Sequence, residues 1–213
     1  MLVGNDINVK SLSELHFFKQ YPQILIRQEP DITFPDNVVQ AINATNAKCD
    51  KFGYKLFQYH KFYLFTPFFK QWSYVFYIDC GAKIYDNIQP VLDCATPGTI
   101  VAHSDAYPTY QWKLKDQFLE GISEIIRNND YFQSTIMLYS TDIIDGTNTF
   151  SKLCELTALY PHCRTNDQGI LNLAFANQWK QIPLVHEKKY IYDFYVRHDN
   201  MPYIMTKYYV FND

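Results

Sequence analysis

The strongest pattern along the chain is an apolar run without helical period, Tyr74 to Ile78 (YVFYI), which stops at Asp79. A run of this length, rich in β-branched and aromatic residues, predicts a strand covered on both faces. Helical and strand-like stretches take turns around it. On its N-terminal side the pattern predicts a helix over Ser11 to Gln20, a short strand over Gln23 to Gln28 and a helix launched at Phe34-Pro35-Asp36 and closed by Gly53. A strand over Tyr54 to Phe57 and an aromatic helix from Gln58 to Gln71 then lead into YVFYI. On its C-terminal side Ile84, Ile88, Val91 and Leu92 read as packing residues around a turn at Asp86-Asn87, followed by a strand at Thr99 to His103. Phe118, Leu119, Ile122, Ile125 and Ile126 fall at helical spacing, and Tyr131 to Tyr139 reads as a strand. Ser140-Thr141-Asp142 is a cap sequence, Phe150 to Leu159 a helix, and Ile170, Leu171, Leu173, Ala174 and Phe175 give another helix after Asn166-Asp167-Gln168-Gly169. A tyrosine-rich strand follows at Tyr190 to Val196. Such alternation predicts an α/β layered fold, and the absence of repeats or low-complexity linkers predicts one domain over residues 1–213.

Composition narrows the class. With 47% apolar and 17% aromatic residues among 213, the chain has enough apolar surface for a full core. A formal charge of −3 without a Lys/Arg cluster argues against a dedicated binder of nucleic acid or anionic membrane. The five cysteines are widely spaced and form no CxxC, so neither a disulfide framework nor a thiolate zinc site is expected, and a reducing, cytoplasmic setting is. Neither a signal-peptide pattern nor an apolar run near the ~20 residues of a membrane span is present.

Candidate chemistry collects at strand ends. Asp79, Cys80 and Gly81 follow the central strand where open α/β sheets bind ligands. A carboxylate there either ends the strand in an ordinary turn or grips a hard divalent cation that bridges diphosphate oxygens. Ser104-Asp105 places a second acid after a second strand, and polar Gln133-Ser134 interrupts an otherwise apolar strand. Polar groups in a buried strand need partners, and a ligand supplies them as well as the protein does. Asp167 and Gln168 sit at a helix N-terminus, whose partial positive charge suits both a capping carboxylate and an anionic ligand. Tyr107, Tyr110 and Trp112 suit sugar faces or a hydrophobic core equally. Cys80 has no neighbouring base in sequence and reads as a packed thiol.

In this order, YHKFYLF, YIDCGAKIYDNIQP, AHSDAY, DYFQSTIMLY and TNDQGILNLAF resemble the motifs of nucleotide-sugar glycosyltransferases of the GT-A fold, particularly family-8-like enzymes related to glycogenin and bacterial galactosyltransferases. The likeness runs from about Tyr59 to His198. It implies a GT-A α/β fold with a mixed, mostly parallel sheet flanked by helices. It also implies transfer of a hexose or deoxyhexose from a UDP-sugar, UDP-glucose-like, to a glycan or glycoprotein acceptor, with Mn²⁺ or Mg²⁺. By the same resemblance Asp79 and His198 hold the metal, and Lys61, Asp79, Asp105, Gln133 and Ser134 bind the nucleotide sugar. Asp167 and Gln168 serve catalysis, with Asn172 in the same helix motif. The sequence departs from the family at Gly81, where the second acid of Asp-x-Asp is expected. That loss also fits a non-catalytic UDP- or sugar-binding relative. An Asp-dependent phosphohydrolase, the third reading, is disfavoured by the same glycine. A narrower likeness, to the N-terminal glycosyltransferase domain of a large chlorella-virus protein, implies a role in capsid glycans and a domain excised from a longer chain.

Overall fold

The predicted central strand forms as β3 (Tyr74–Ile78) and is hydrogen-bonded along its length to β6 (Phe132–Ser140), antiparallel, with Ile78 opposite Ile136. The computed structural model describes residues 2–3, 8–49, 56–79, 82–84, 87–104, 118, 122–123, 127–146, 148–182, 185–188, 194–197 and 203–207. Beyond β6 lie β5 (Ile100–Ser104), antiparallel to β6, and β7 (Trp179–Gln181), parallel to β5, giving the order β3-β6-β5-β7. The sheet is therefore mixed, with β3, β5 and β7 running one way and β6 the other. Two further sheets are present: a parallel pair, β1 (Leu2–Val3) with β2 (Arg27–Gln28), and an antiparallel sheet ordered β4-β10-β9-β8. Its strands are β4 (Ala82–Ile84), β8 (Val185–Lys188), β9 (Phe194–Arg197) and β10 (Tyr203–Lys207).

Side-chain alternation divides the main sheet between two cores. Ile100, Ala102, Met137 and Tyr139 face a large cluster with the buried aromatics Tyr59, Phe62 and Phe65, whereas Val101, Ile136, Leu138 and Ile182 face a smaller one with Val91. Val75 and Tyr77 of β3 pack on the first cluster, Phe76 and Ile78 on the second. The strand is thus covered on both faces, as its unbroken apolar run predicts. Tyr77 and Asp79, two apart, belong to the face of the larger cluster.

That face is covered by α3 (Asp36–Lys48), α5 (Asn148–Leu159), α6 (Asp167–Ala174) and a 3-10 helix, Leu56–Phe65. The remaining short helices are α1 (Val9–Ser13), α2 (His16–Gln20), α4 (Gln89–Leu92) and the 3-10 turns Pro67–Gln71 and Thr141–Ile143.

Several expectations are corrected. The first helix is two, α1 and α2, separated at Glu14-Leu15, where Leu15 takes an extended ψ of 142°. Only Arg27–Gln28 of the Gln23–Gln28 strand pairs. Leu56 and Phe57 begin the 3-10 helix rather than end a strand, and the aromatic helix to Gln71 breaks at Thr66 (ψ 160°) because Pro67 disfavours helical backbone in the residue before it. Helix α3 ends at Lys48, with Cys49 as its cap; Gly53 lies outside the described residues. Ile84 is exposed, while Ile88, Val91 and Leu92 do pack together. Phe118 forms an isolated bridge with Cys163; Leu119, Ile125 and Ile126 of the expected helical spacing lie outside the described residues, and the Arg127 N–H donates to the Ser123 carbonyl at 3.1 Å with helical spacing. Strands β4, β7 and β8 are too short or too polar for the sequence pattern to reveal, and β10, as long as β5, has no counterpart among the expected elements.

Candidate active site

The end of β3 is fixed first. The backbone N–H of Asp79 donates to the Thr135 carbonyl at 2.9 Å, so the β3–β6 ladder continues one residue past the strand. The Tyr77 hydroxyl, on the same face, donates to Asp79 Oδ1 at 2.6 Å and fixes the carboxylate.

Opposite it stands the 3-10 helix. Phe65 packs against Tyr139 and Phe175 with ring centroids 5.0 and 4.9 Å apart, and the Tyr139 hydroxyl donates to the Leu64 carbonyl at 2.6 Å. Docked in this way, the helix brings Lys61 over the sheet edge. Its Nζ lies 3.4 Å from Asp79 Oδ1 and 3.1 Å from Asp167 Oδ2, and donates to Ser134 Oγ at 3.0 Å. The Tyr77 ring lies beneath the ammonium, 5.3 Å from Nζ to centroid. All three charged side chains are largely buried, with 11% of Lys61, 25% of Asp79 and 15% of Asp167 exposed.

Helix α6 supplies the third wall. Gln168 Oε1 accepts from the Ser134 backbone N–H at 3.0 Å and from its hydroxyl at 3.3 Å. One turn on, Asn172 clamps the start of β6: its Oδ1 accepts from Phe132 N–H at 2.7 Å and its Nδ2 donates to the Phe132 carbonyl at 2.8 Å. Asn166, before Asp167, adopts φ 49° and ψ −119°, a conformation that costs a non-glycine residue about 1–3 kcal/mol. The cost is borne where the chain must turn abruptly to aim Asp167 at Lys61. A Cβ at Gly169 would collide with Cys163 Sγ, so a larger residue there requires that thiol or the helix to move.

Electrostatics follow from this burial. Desolvation works against the Lys61 ammonium, but Asp167 and Asp79 outweigh it and hold its pKa above the ordinary lysine value. Burial pushes the Asp167 carboxyl up, and the Asp79 charge adds to this; Lys61 opposes the shift only in part. One ammonium facing two carboxylates leaves the cluster one positive charge short. An anionic ligand there would need further positive charge, and oxygen donors such as these suit a hard divalent cation. Among the described residues no group of three or more His, Cys, Asp or Glu is arranged to hold a metal.

Of the residues singled out in sequence, Lys61, Asp79, Ser134, Asp167 and Gln168 converge. Gln133 does something else: its Oε1 accepts from the Thr135 N–H, and it lines a small cavity with His103 and Ile136. The division arises from a register shift in the β5–β6 ladder, where His103 pairs with Gln133 although Ala102 pairs with Met137. This irregularity changes the parity of alternation, so Phe132 shares the face of Met137 and Ser134 is presented to Lys61. Asp105, His198, Cys80, Gly81, Tyr107, Tyr110 and Trp112 lie outside the described residues. Tyr77 was not anticipated; its place two residues before Asp79 on one strand was the available signal. The strain at Asn166 had no signal in sequence.

Comparison with known proteins identifies the family. The family described as Glycosyl transferase family 8 matches residues 2–206. Among solved structures, a galactosyltransferase, LgtC, in complex with donor and acceptor sugar analogues is 16% identical, with a TM-score of 0.48 over 84% of this chain and 71% of that one. Mouse xyloside xylosyltransferase 1, in its apo form, is 10% identical, with a TM-score of 0.40 over the same shares. No curated protein matches the chain in sequence.

Proposed function

The chain belongs to glycosyl transferase family 8, and from that premise we propose that it transfers a hexose or deoxyhexose from a UDP-sugar, UDP-glucose-like, to a glycan acceptor, with a divalent cation at Asp79. The observation that carries the reading is the convergence of Lys61, Asp79 and Asp167 at the carboxyl end of β3, with Ser134 and Gln168 beside them.

In this reading Asp79, oriented by Tyr77, and His198 hold Mn²⁺ or Mg²⁺, in a site that has Gly81 instead of a second acid. When bound, the cation offsets the negative charge that grows on the leaving diphosphate. Lys61 contributes a fixed ammonium to the same end, kept protonated at neutral pH by its two carboxylates. Gln168, Ser134 and Asp105 orient the donor through its hydroxyls. Asp167, raised above the usual carboxylate range and fixed at the start of α6, takes the acceptor-facing role of base or charge stabiliser. The two carboxylates around Lys61 are costly to desolvate and so fit a site that engages a ligand; turnover of the donor is what separates an active enzyme from a relative that only binds. We further propose capsid glycans as the acceptor class, the role that the narrower resemblance implies.

The test is calorimetric titration with UDP, GDP and CMP, with and without Mn²⁺, on the wild type and Asp79→Ala, followed by assay of UDP-glucose turnover. UDP binding that needs both Mn²⁺ and Asp79, with donor turnover, is the expected result. Binding of no nucleotide, or binding indifferent to metal and Asp79, overturns the donor-site assignment. Binding without transfer or hydrolysis of any UDP-hexose selects the non-catalytic relative.

A further inference from the structure

A second concave site lies outside the charged cluster. Between the turn that precedes β6, the connection from α6 to β7 and β7 itself is a cleft of about 410 Å³, lined by Asn128, Asn129, Asp130, Asn177, Trp179 and Gln181. Its chemistry differs from that of the cluster chiefly in its lack of an ammonium among the described residues and its richness in amides. It has amides and an indole where the cluster has charges, and no cation lines it among the described residues.

We infer that this cleft binds a neutral segment of the acceptor glycan. Each primary amide offers two N–H donors and a carbonyl with two lone pairs, the set that pairs with sugar hydroxyls acting as donor and acceptor at once. One hydrogen bond, Asn129 Nδ2 to Asn177 Oδ1 at 3.2 Å, spans the cleft, and Gln181 is engaged by Ser104, His103 and Ile182, so the capacity offered to a sugar is that of the three asparagines. Trp179 provides the apolar counterpart: a half-buried indole, supported by Phe132 at a ring separation of 5.6 Å, suits the C–H face of a pyranose. The volume accommodates about one or two pyranose rings, at the lower end of the range for small-molecule sites. An anionic ligand is disfavoured, because Asp130 is the charged group on the described wall.

The cleft also shares a wall with the sheet edge that carries the chemistry. Gln181 lines it and accepts the Ser104 N–H at 2.7 Å, which fixes the end of β5 immediately before Asp105. A glycan seated against Gln181 is therefore anchored at the same sheet edge as the donor residues, and holding the acceptor beyond its reacting sugar improves its positioning.

The inference rests on the sugar-transfer reading, and its test separates the two. The chain has three tryptophans, so ¹⁵N-indole NMR identifies the Trp179 signal as the one missing in Trp179→Phe. The wild type is titrated, without nucleotide, with maltotriose, cellotriose, lactose and the anionic 3′-sialyllactose, while UDP titration reads the donor site independently. We expect a saturable shift of the Trp179 signal with at least one neutral sugar. Asn129→Ala/Asn177→Ala should weaken it about tenfold, the equivalent of two amide hydrogen bonds, with UDP binding unchanged. If the double variant does not fold, Asn177→Ala, at an exposed position, should weaken it about threefold. The proposal is overturned by no saturable shift with any neutral sugar, by equal affinity in the amide variants, or by sialyllactose binding as tightly as the best neutral sugar.

Discussion

Helix α6 presents two kinds of polar group to the sheet, and they differ in purpose. At its first residue Asp167 joins a partly dehydrated ion cluster with Lys61 and Asp79; one turn later Asn172 makes neutral hydrogen bonds to the Phe132 backbone and to the Gln168 carbonyl. A buried ion pair is a weak way to stabilise a fold, because desolvation offsets much of the Coulomb gain. A buried amide that satisfies backbone groups is an effective one, because those groups would otherwise be orphaned. The charged end of the helix is therefore best understood as equipment for a ligand, and the amide as the fitting that keeps the equipment aligned. Removing a member of each should separate activity from stability.

The largest effect should follow Lys61→Met. Activity falls by an amount on the order of 10²–10³, the usual cost of a lost preorganised charge at a transition state, while an apolar chain of similar length limits the packing loss. Two carboxylates are then left facing each other, so the Asp167 pKa, which Lys61 now holds down in part, rises further; carboxyl NMR titration reads it. Stability changes with pH have a defined sign. Lys61 has a raised pKa, so its contribution is complete below its unfolded value of about 10.4 and is lost as pH rises through the folded value. Asp167 is also raised, so its contribution is present below its unfolded value of about 3.9 and fades as pH climbs through the folded value. Denaturant melts should therefore show an alkaline loss of stability in the wild type that Lys61→Met lacks. An identical alkaline limb in the variant would mean that the cluster does not hold the ammonium as described.

Asn172→Leu should reverse the pattern. The Phe132 N–H and carbonyl lose their partners in a fully buried setting, at a cost of about 2–4 kcal/mol for two orphaned groups. Chemical denaturation should record that loss, while the folded fraction retains activity within roughly tenfold of wild type, since no charge is removed. A variant that is stable yet inactive would instead place Asn172 among the groups that touch the substrate.

The sequence made the strand at Tyr74–Ile78 and its acidic end legible because burial on both faces leaves a continuous apolar run, a signal that survives without neighbours. The helix motif at Asp167 was legible for a similar reason: Ile170, Leu171 and Ala174 repeat at helical spacing after a polar start. The family match over residues 2–206 agrees with the family that those motifs resemble. What escaped were features created by tertiary contact. The 3-10 form of Leu56–Phe65 has nearly the same apolar pattern as an α-helix. The irregular β5–β6 register, which presents Ser134 and turns Gln133 elsewhere, is set by strand pairing and by no residue of its own. Strand β7 has three residues, too few to display a period, yet it provides both the Trp179 and Gln181 walls of the polar cleft.

Gly169→Ala probes how tightly α6 must approach its neighbour. The new methyl would collide with Cys163 Sγ and lie 3.1 Å from Thr165 Oγ1, so the buried thiol or the helix must move. Overpacking of this kind costs about 1–3 kcal/mol, and the pair Gly169→Ala/Cys163→Gly, which removes the obstructing sulfur, should recover most of it. Failure of the second substitution to rescue stability would show that the glycine serves the backbone and not the contact.

The smallest effect belongs to Tyr77→Phe, and it bears most directly on the contrast between charge and alignment. The substitution keeps the ring beneath Lys61 and removes only the hydroxyl that donates to Asp79 Oδ1 at 2.6 Å. A hydrogen bond to a charged partner contributes about 1.5–3 kcal/mol when buried, and Asp79, one quarter exposed, should retain the lower part of that range. The melting curve should therefore shift only slightly. If Tyr77 aligns the carboxylate for a cation, metal-dependent UDP binding should weaken by about tenfold while metal-independent binding stays as it was. If both fall together, the hydroxyl supports the local fold and Asp79 reaches its partners without it.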